Sequence, residues 1–355
     1  MHLLTLTERT NLGSQIGWIE PGSWLVHDLN AFEIAMIAAR GTATVSNFGW
    51  KTWANPDKGV LFMRSGAIGD LMMLMPVLAA WKDKTHEKVS LCCFPHHFPL
   101  FEGSDLVDEL VPYPMNFNRV NHFMDIISME NTMEADHEHH ATDVFAKALG
   151  INTPLANYRP VLNLTEEELA AGKKEVFGAR PTVAVQMRAS VANRDYPAKR
   201  WLETIVKLEE RGWGVVFLAK KGQLPPFPAQ FQTPFIRDLS ILDLTIRQSA
   251  AVLANCDAFL GVDSGFSHIA HALDIPSVGL YGPFPWQIRV AANQRMTAIS
   301  GKGDCAGCCW HTHNGNAFPP NKPCSKIGVC VVLDSIEPDR ICAKMELLKP
   351  EKCRK

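Results

Sequence analysis

Cys256-Asp-Ala-Phe-Leu-Gly-Val-Asp-Ser-Gly-Phe-Ser-His-Ile-Ala-His-Ala-Leu-Asp-Ile-Pro276 is the stretch whose reading decides the fold. An apolar run of strand type, Ala258 to Val262, breaks at Asp263-Ser264-Gly265. A helical run follows with Ile269, Ala270 and Leu273 on one side, and Pro276 leads into a second apolar strand that ends at Tyr281-Gly282-Pro283. Strand, polar turn, helix, strand is a βαβ unit, because parallel strands need such a crossover. The turn then lies where strand carboxyl ends meet a helix amino end, the usual ligand crevice of an open α/β sheet. The N–H groups of Gly265, Phe266 and Ser267 are expected to point out of that helix end and to suit a phosphate. Ser264 and Ser267 add hydroxyls, and His268 stands one turn in. Two readings stand side by side: a phosphate-binding turn for a nucleotide-linked substrate, or a helix merely capped by Asp263 or Ser264.

The chain around this stretch has 355 residues, 46% of them apolar and 20% charged. That suffices for a large core and suits two domains better than one. A net charge of −2 gives no global basic field to attract nucleic acid or an anionic membrane. The first residues lack the charged-then-apolar pattern of a signal peptide, and no apolar run reaches spanning length, so the expectation is a cytoplasmic protein without a transmembrane segment. Ten cysteines in such a chain argue for free thiols or a metal site before disulfides.

Upstream, residues 1–50 read as an N-terminal appendage or edge addition, with a strand after Ile19, a short helix from Ala31 to Arg40 and a strand after Gly41. From Lys58 the pattern is clearer. Val60 to Met63 is a strand; Arg64-Ser-Gly66-Ala-Ile-Gly69-Asp70 is a turn whose glycines permit a tight path; Leu71 to Trp81 is an apolar helix containing Pro76. Val89 to Phe94 and Leu110 to Tyr113 read as further strands, 115–140 as polar and irregular, and Ala141 to Leu149 as a helix. Thr165 with Glu168 has capping-box spacing at a new helix. A second α/β series then begins: strand Thr182 to Gln186, polar loop Arg188 to Pro197, helix Lys199 to Arg211, strand Gly214 to Ala219, helix Leu244 to Asn255. The predicted division is 1–50 appendage, 51–160 N-terminal Rossmann-like domain, and 161–335 C-terminal Rossmann-like domain with a cysteine-rich loop at 301–330. Residues 336–355 are expected to form a helix packing back on the N-terminal domain.

Arg64-Ser-Gly-Ala-Ile-Gly-Asp70-Leu with Pro76, and Asp263-Ser-Gly-Phe-Ser-His268 through Pro276 with Leu280-Tyr-Gly-Pro283, together resemble the heptosyltransferase-like glycosyltransferases of family nine. The likeness covers roughly residues 58–300 and rests on two separated motifs in the right order. It implies a GT-B fold, two Rossmann-like doubly wound domains facing a cleft. It further implies a nucleotide-sugar donor on the C-terminal domain, an acceptor on the N-terminal one, inversion at the anomeric carbon and no catalytic metal. On this resemblance Asp70 is the general base. One carboxylate must take the proton from the attacking hydroxyl while the sugar gains oxocarbenium character, and a helix amino terminus favours the ionised form. The alternative is a simple N-cap aspartate.

A diphosphate leaving group needs positive charge. The resemblance places a basic residue just before a tryptophan, which selects Lys199 next to Arg200-Trp201, with Arg188 and Arg194 as helpers. Asp263, Ser264, Gly265, His268 and Gly282 complete the implied donor site. One departure is plain: the family holds the donor ribose with an acidic residue after the next strand, and Ala219-Lys-Lys-Gly-Gln has none.

Cys305-Ala-Gly-Cys308-Cys309, then Cys324 and Cys330, sit in a loop rich in Gly, Pro and Asn. A structural zinc on Cys305, Cys308, Cys324 and Cys330, a disulfide, and unlinked thiols all remain open, because the second pair is wider than a zinc knuckle's. His137, His139, His140 and Asp143 read as an exposed histidine-rich loop or a metal site. The function expected is inverting transfer of a sugar to a glycan or glycolipid hydroxyl, lipopolysaccharide core or related, at the inner membrane's cytoplasmic face. The rivals are a glycosyltransferase acting on modified nucleic-acid bases and an inactive nucleotide-sugar-binding protein. An epimerase is disfavoured, since no Gly-x-Gly-x-x-Gly turn follows a strand.

Overall fold

A computed structural model of the chain describes residues 1–11, 18–26, 43–47, 58–130, 132, 136, 138–224, 231–290, 292–309 and 330–353. Two parallel sheets form its centre. The first has the strand order Asp125–Ser128, Val60–Met63, Val89–Cys93, Glu109–Pro112. The second has six strands in the order Ile236–Asp238, Gly214–Phe217, Thr182–Gln186, Ala258–Val262, Ser277–Tyr281, Met296–Ser300. Each sheet starts near its middle, steps one way, then returns to the other side of the starting strand. The switch points therefore lie between Val60–Met63 and Asp125–Ser128, and between Thr182–Gln186 and Ala258–Val262. Loops leaving these strands line the crevices where such sheets bind ligands.

The strands read as unbroken apolar runs because both faces of each sheet are covered. In the first sheet Val60, Phe62, Val89, Leu91 and Cys93 face one apolar cluster, while Leu61, Met63, Cys92, Val111 and Ile126 face another, a strict period of two. The second cluster is closed by the N-terminal residues. His2–Leu6, Gly22–Val26 and Ala43–Asn47 form an antiparallel sheet joined to Met115–Asn116, and Leu4, Leu6, Leu25 and Val26 are buried on the first parallel sheet. The appendage is thus a packed layer of the N-terminal unit. The helix expected over Ala31 to Arg40 lies outside the described residues.

The helix Ile68–Thr85 is buried at every position from Asp70 to Leu78. Its neighbours explain this: the first sheet, the helix Ala141–Ala148, and the helix Gly265–Ala272 of the second unit. A helix apolar all round is a helix surrounded.

Three expectations are corrected. The stretch 115–140 is not merely irregular, since Asp125–Ser128 is a parallel strand of the first sheet. Ile236–Asp238 and Met296–Ser300 add edge strands to the second sheet that the sequence had not shown. The C-terminal helix, Pro338–Glu346, does not pack on the N-terminal unit. Its Ile341, Cys342 and Met345 cover Trp201, Ile205 and Leu208 of the helix Ala198–Glu210, and Asp339 Oδ2 lies 2.6 Å from Lys207 Nζ. The apolar stripe of Ala198–Glu210 thus shares one buried cluster with Val183, Val215 and Phe217 of the second sheet and with Pro338–Glu346.

Candidate active site

The chain leaving Val60–Met63 carries Arg64, and the chain leaving Asp125–Ser128 carries Glu130; the switch point brings them together. Arg64 Nη1 donates to Glu130 Oε2 at 3.1 Å and to the Met129 carbonyl at 3.0 Å, and the Ser65 N–H donates to Glu130 Oε1. Arg64 Nη2 lies 3.3 Å from Asp70 Oδ2. The same oxygen accepts the Ala67 N–H at 3.0 Å, a reverse cap from the third helical residue. Asp70 is 3% exposed and Arg64 2%. The glycine at 66 is explained by space and not by backbone angle: a Cβ there would lie 2.6 Å from Asp70 Oδ2 and 2.7 Å from Arg64 Nε. Sequence reasoning placed Arg64 in the turn motif without a role and missed Glu130, and only strand order could have paired them.

The second unit repeats the arrangement. Arg194, in the loop leaving Thr182–Gln186, meets Asp263, which follows Ala258–Val262, with Nη1 3.4 Å from Oδ2. Both are nearly buried. Arg289, also buried, was not anticipated; its guanidinium carbon lies 4.8 Å from the Phe284 ring centroid, and that of Arg194 lies 5.1 Å from the same ring. Burial pushes the Arg289 guanidinium below its ordinary range, while the charges of Asp263 and Asp70 act in the opposite sense. Ser264 occupies the N-cap position without a side-chain cap bond, and its buried Oγ has no hydrogen-bond partner among the described residues. Capping by Ser264 is therefore not what the hydroxyl does here. Ser267 departs from expectation. Its N–H donates to the Ser264 carbonyl at 3.1 Å and its Oγ to the Val262 carbonyl at 3.3 Å, so both groups are used inside the turn.

The two helix starts abut. A Cβ on Gly69 would lie 3.0 Å from His268 Cδ2, and one on Gly265 would lie 2.8 Å from Ile68 Cβ. His268 is pushed down to about 4 by burial, as is His271, so both are neutral near pH 7. His140 joins them from the N-terminal unit: its Nδ1 accepts the Thr142 N–H at 3.2 Å, and Nε2 stands 3.2 Å from the Arg289 carbonyl. Together with Tyr158 and Asn293 they line a pocket of about 10 Å³, the size of a single water.

The other residues singled out by the sequence fall elsewhere. Arg188 is exposed and pairs with Asp195 at 3.0 Å, which shapes the loop. Lys199 is exposed in the first turn of Ala198–Glu210. Gly282 is enclosed by packing, since a Cβ there would lie 2.7 Å from Leu333 Cγ and 2.9 Å from Cys330 Sγ. A structural zinc is not supported. Among the described residues no group of three or more His, Cys, Asp or Glu is placed to hold a metal, and Cys324 lies outside them. Cys305, Cys308, Cys309 and Cys330 form no disulfide among the described residues. The histidine loop also dissolves as a metal site: His139 pairs with Asp136 at 2.8 Å, Asp143 accepts from Tyr158, and His137 lies outside the described residues.

Two parallel α/β units whose strand ends meet at a carboxylate-bearing junction define a GT-B protein. The family model described as Glycosyltransferase family 9 (heptosyltransferase) matches residues 126–315. The chain belongs to this family of glycosyltransferases. Lipopolysaccharide heptosyltransferase 1 of Pseudomonas aeruginosa is 25% identical over 224 residues, and the match spans 59% of this chain and 59% of the length of that relative. Among solved structures, the E. coli ADP-heptose lipopolysaccharide heptosyltransferase II aligns with a TM-score of 0.64 at 17% identity, over 82% of this chain and 98% of that one. The dodecameric iron-containing heptosyltransferase TibC, in complex with ADP-D-β-D-heptose, aligns with a TM-score of 0.60 at 14% identity, over 94% and 85%. These likenesses show the fold. Among the described residues no helix is long and apolar enough to cross a membrane.

Proposed function

We propose that the chain moves a sugar from a nucleotide-sugar to a hydroxyl of a glycan or glycolipid, of the lipopolysaccharide-core type, with inversion at the anomeric carbon. The observation that carries this reading is the contact between the starts of the Asp70 and His268 helices, Gly69 on His268 and Ile68 on Gly265. It sets one buried carboxylate beside the other unit's anion-binding helix end. The acceptor oxygen attacks the anomeric carbon as the bond to the diphosphate oxygen breaks. The electron pair leaves with the nucleoside diphosphate, and the hydroxyl proton passes to Asp70. Arg64 and the Ala67 N–H orient that carboxylate. The leaving charge is met by the Gly265 helix end, the Ser264 hydroxyl and Arg194, which Asp263 positions.

On this reading residues 51–160, with the 1–50 layer, take the acceptor, and 161–335 take the donor. Two solved relatives hold ADP-D-β-D-heptose and ADP-2-deoxy-2-fluoro heptose, which makes an ADP-sugar the first donor to test. The lysines at 220 and 221, where the family resemblance implies an acid, favour a different grip on the ribose. A glycolipid acceptor would hold the protein at the cytoplasmic face of the inner membrane. The test is a thermal-shift and diphosphate-release screen against a panel of nucleotide-sugars. An ADP-sugar should raise the melting temperature, since a ligand that binds only the folded chain stabilises it. A panel in which nothing binds and nothing is consumed contradicts the proposal.

A further inference from the structure

The strand next to Val60–Met63 is Val89–Cys93, so the chain leaving Cys93 emerges beside the Asp70 turn, at the same edge of the sheet. That chain carries Phe94, His96 and His97, and the following strand, Glu109–Pro112, delivers Tyr113 to the same place. Four rings gather there. His96 stacks on Phe94 with centroids 5.4 Å apart and planes 11° apart, Tyr113 meets Phe94 edge-on at 5.3 Å, and His97 meets His96 at 4.1 Å. Phe94 and Tyr113 are buried, whereas the His96 ring is exposed. The outcome is a flat imidazole face backed by phenyl rings.

His97 is 6% exposed, and its Nδ1 has no hydrogen-bond partner among the described residues. Burial pushes its imidazole down to about 4; His96 and Lys220 lower it further, and Asp70 acts in the opposite sense. The ring is therefore neutral near pH 7 and lies within electrostatic reach of Asp70 and of Lys220 of the second unit. A buried ring nitrogen without a protein partner is costly unless something else bonds to it. Nothing in the transfer step described above uses it.

We propose that His97 and the His96–Phe94 stack form the acceptor subsite, which takes a pyranose bearing vicinal hydroxyls. One hydroxyl faces Asp70 and attacks; its neighbour bonds to His97 Nδ1; the sugar's C–H face lies on the His96 ring. His97 is a positioning residue, and it selects a diol over a lone hydroxyl such as a serine side chain. The inference rests on the glycosyl-transfer reading and adds the class of acceptor to it.

The experiment uses the full chain with methyl α-D-mannopyranoside, its 2-deoxy and 3-deoxy analogues, and N-acetylserine amide as probes. Binding is read by saturation-transfer NMR, and transfer by consumption of an ADP-sugar at varied probe concentration. The wild type should bind the diol probe and favour it over at least one deoxy analogue and over the serine amide. His97→Ala should raise the KM for the diol at least tenfold, with the KM for the donor unchanged. His97→Asn, whose side-chain amide can occupy the place of Nδ1, should recover most of the loss. Equal diol binding by wild type and His97→Ala, no diol binding by the wild type, or preference for the serine amide would each overturn the proposal. Donor hydrolysis in water by the wild type needs only Asp70 and the donor side, so its absence reports on the transfer reading and not on His97.

Discussion

Gly69 and His268 face each other across the junction of the two units so closely that a methyl group on Gly69 would sit 3.0 Å from His268 Cδ2 and 3.3 Å from Nε2. His268 is buried, with little room to retreat. Gly69→Ala should therefore push the helix starts apart. Overpacking of this kind costs about 1–3 kcal/mol, and the misplacement of Asp70 should lower turnover more than it lowers donor affinity. Urea denaturation alongside steady-state kinetics would show both effects.

The Arg64 guanidinium sits between two carboxylates, Asp70 at 3.3 Å and Glu130 at 3.1 Å, in a nearly closed environment. Removing one member of a buried ionic set leaves uncompensated charge and costs about 3–5 kcal/mol. Arg64→Met should approach that loss. Adding Glu130→Gln to Arg64→Met should return part of it, whereas Glu130→Gln alone should be milder. A double-mutant cycle in urea gives the coupling directly, and strictly additive values would show that Arg64 and Glu130 do not act together.

Arg247 links the units by a separate route. It donates to the Pro99 carbonyl at 3.0 Å in the first unit, to the Asn163 carbonyl at 2.7 Å in the connecting segment, and pairs with Glu168 at 2.5 Å. Arg247→Ala should destabilise the chain by roughly 2–4 kcal/mol through these unmet acceptors. Hydrogen exchange should rise first around residues 99–102 and 163–168 if Arg247 is the tie.

Acid should weaken the junction. His268 is held near 4 in the folded chain against an ordinary 6.5, so between those values the unfolded chain binds more protons than the folded one. Stability is then fully present above about pH 6.5 and falls as pH drops toward 4, by up to about 1.4 kcal/mol per pH unit for this one group. His271 and His97 move in the same direction. Melting temperature measured from pH 7.5 to 5 should fall with pH, and His271→Gln should flatten the curve relative to wild type.

How much of this was readable in the chain follows from which interactions are local. The strand Ala258–Val262, the polar turn and the helix after it are contiguous, and they were legible residue by residue. The helix carrying Asp70 was legible as apolar, but not which elements would surround it. Asp125–Ser128 escaped notice because four residues with polar ends give too little pattern. Arg64 and Glu130 stand 66 residues apart, and their meeting depends on the order of strands, which no local period encodes. The glycine at 66 was readable as a turn residue, yet its reason is the space that the Arg64–Asp70 pair needs. The direction in which Pro338–Glu346 folds back was equally hidden, since its apolar face fits any exposed apolar stripe.

The account stands or falls on Asp70 as the group that takes the acceptor's proton. The direct measurement compares Asp70→Asn with wild type for donor affinity, by calorimetry with an ADP-sugar, and for turnover with the same donor. Loss of a general base costs about 10²–10⁴-fold in rate. The predicted result is a fall of that order with donor affinity within a few-fold of wild type. Turnover retained in the asparagine variant would contradict the account.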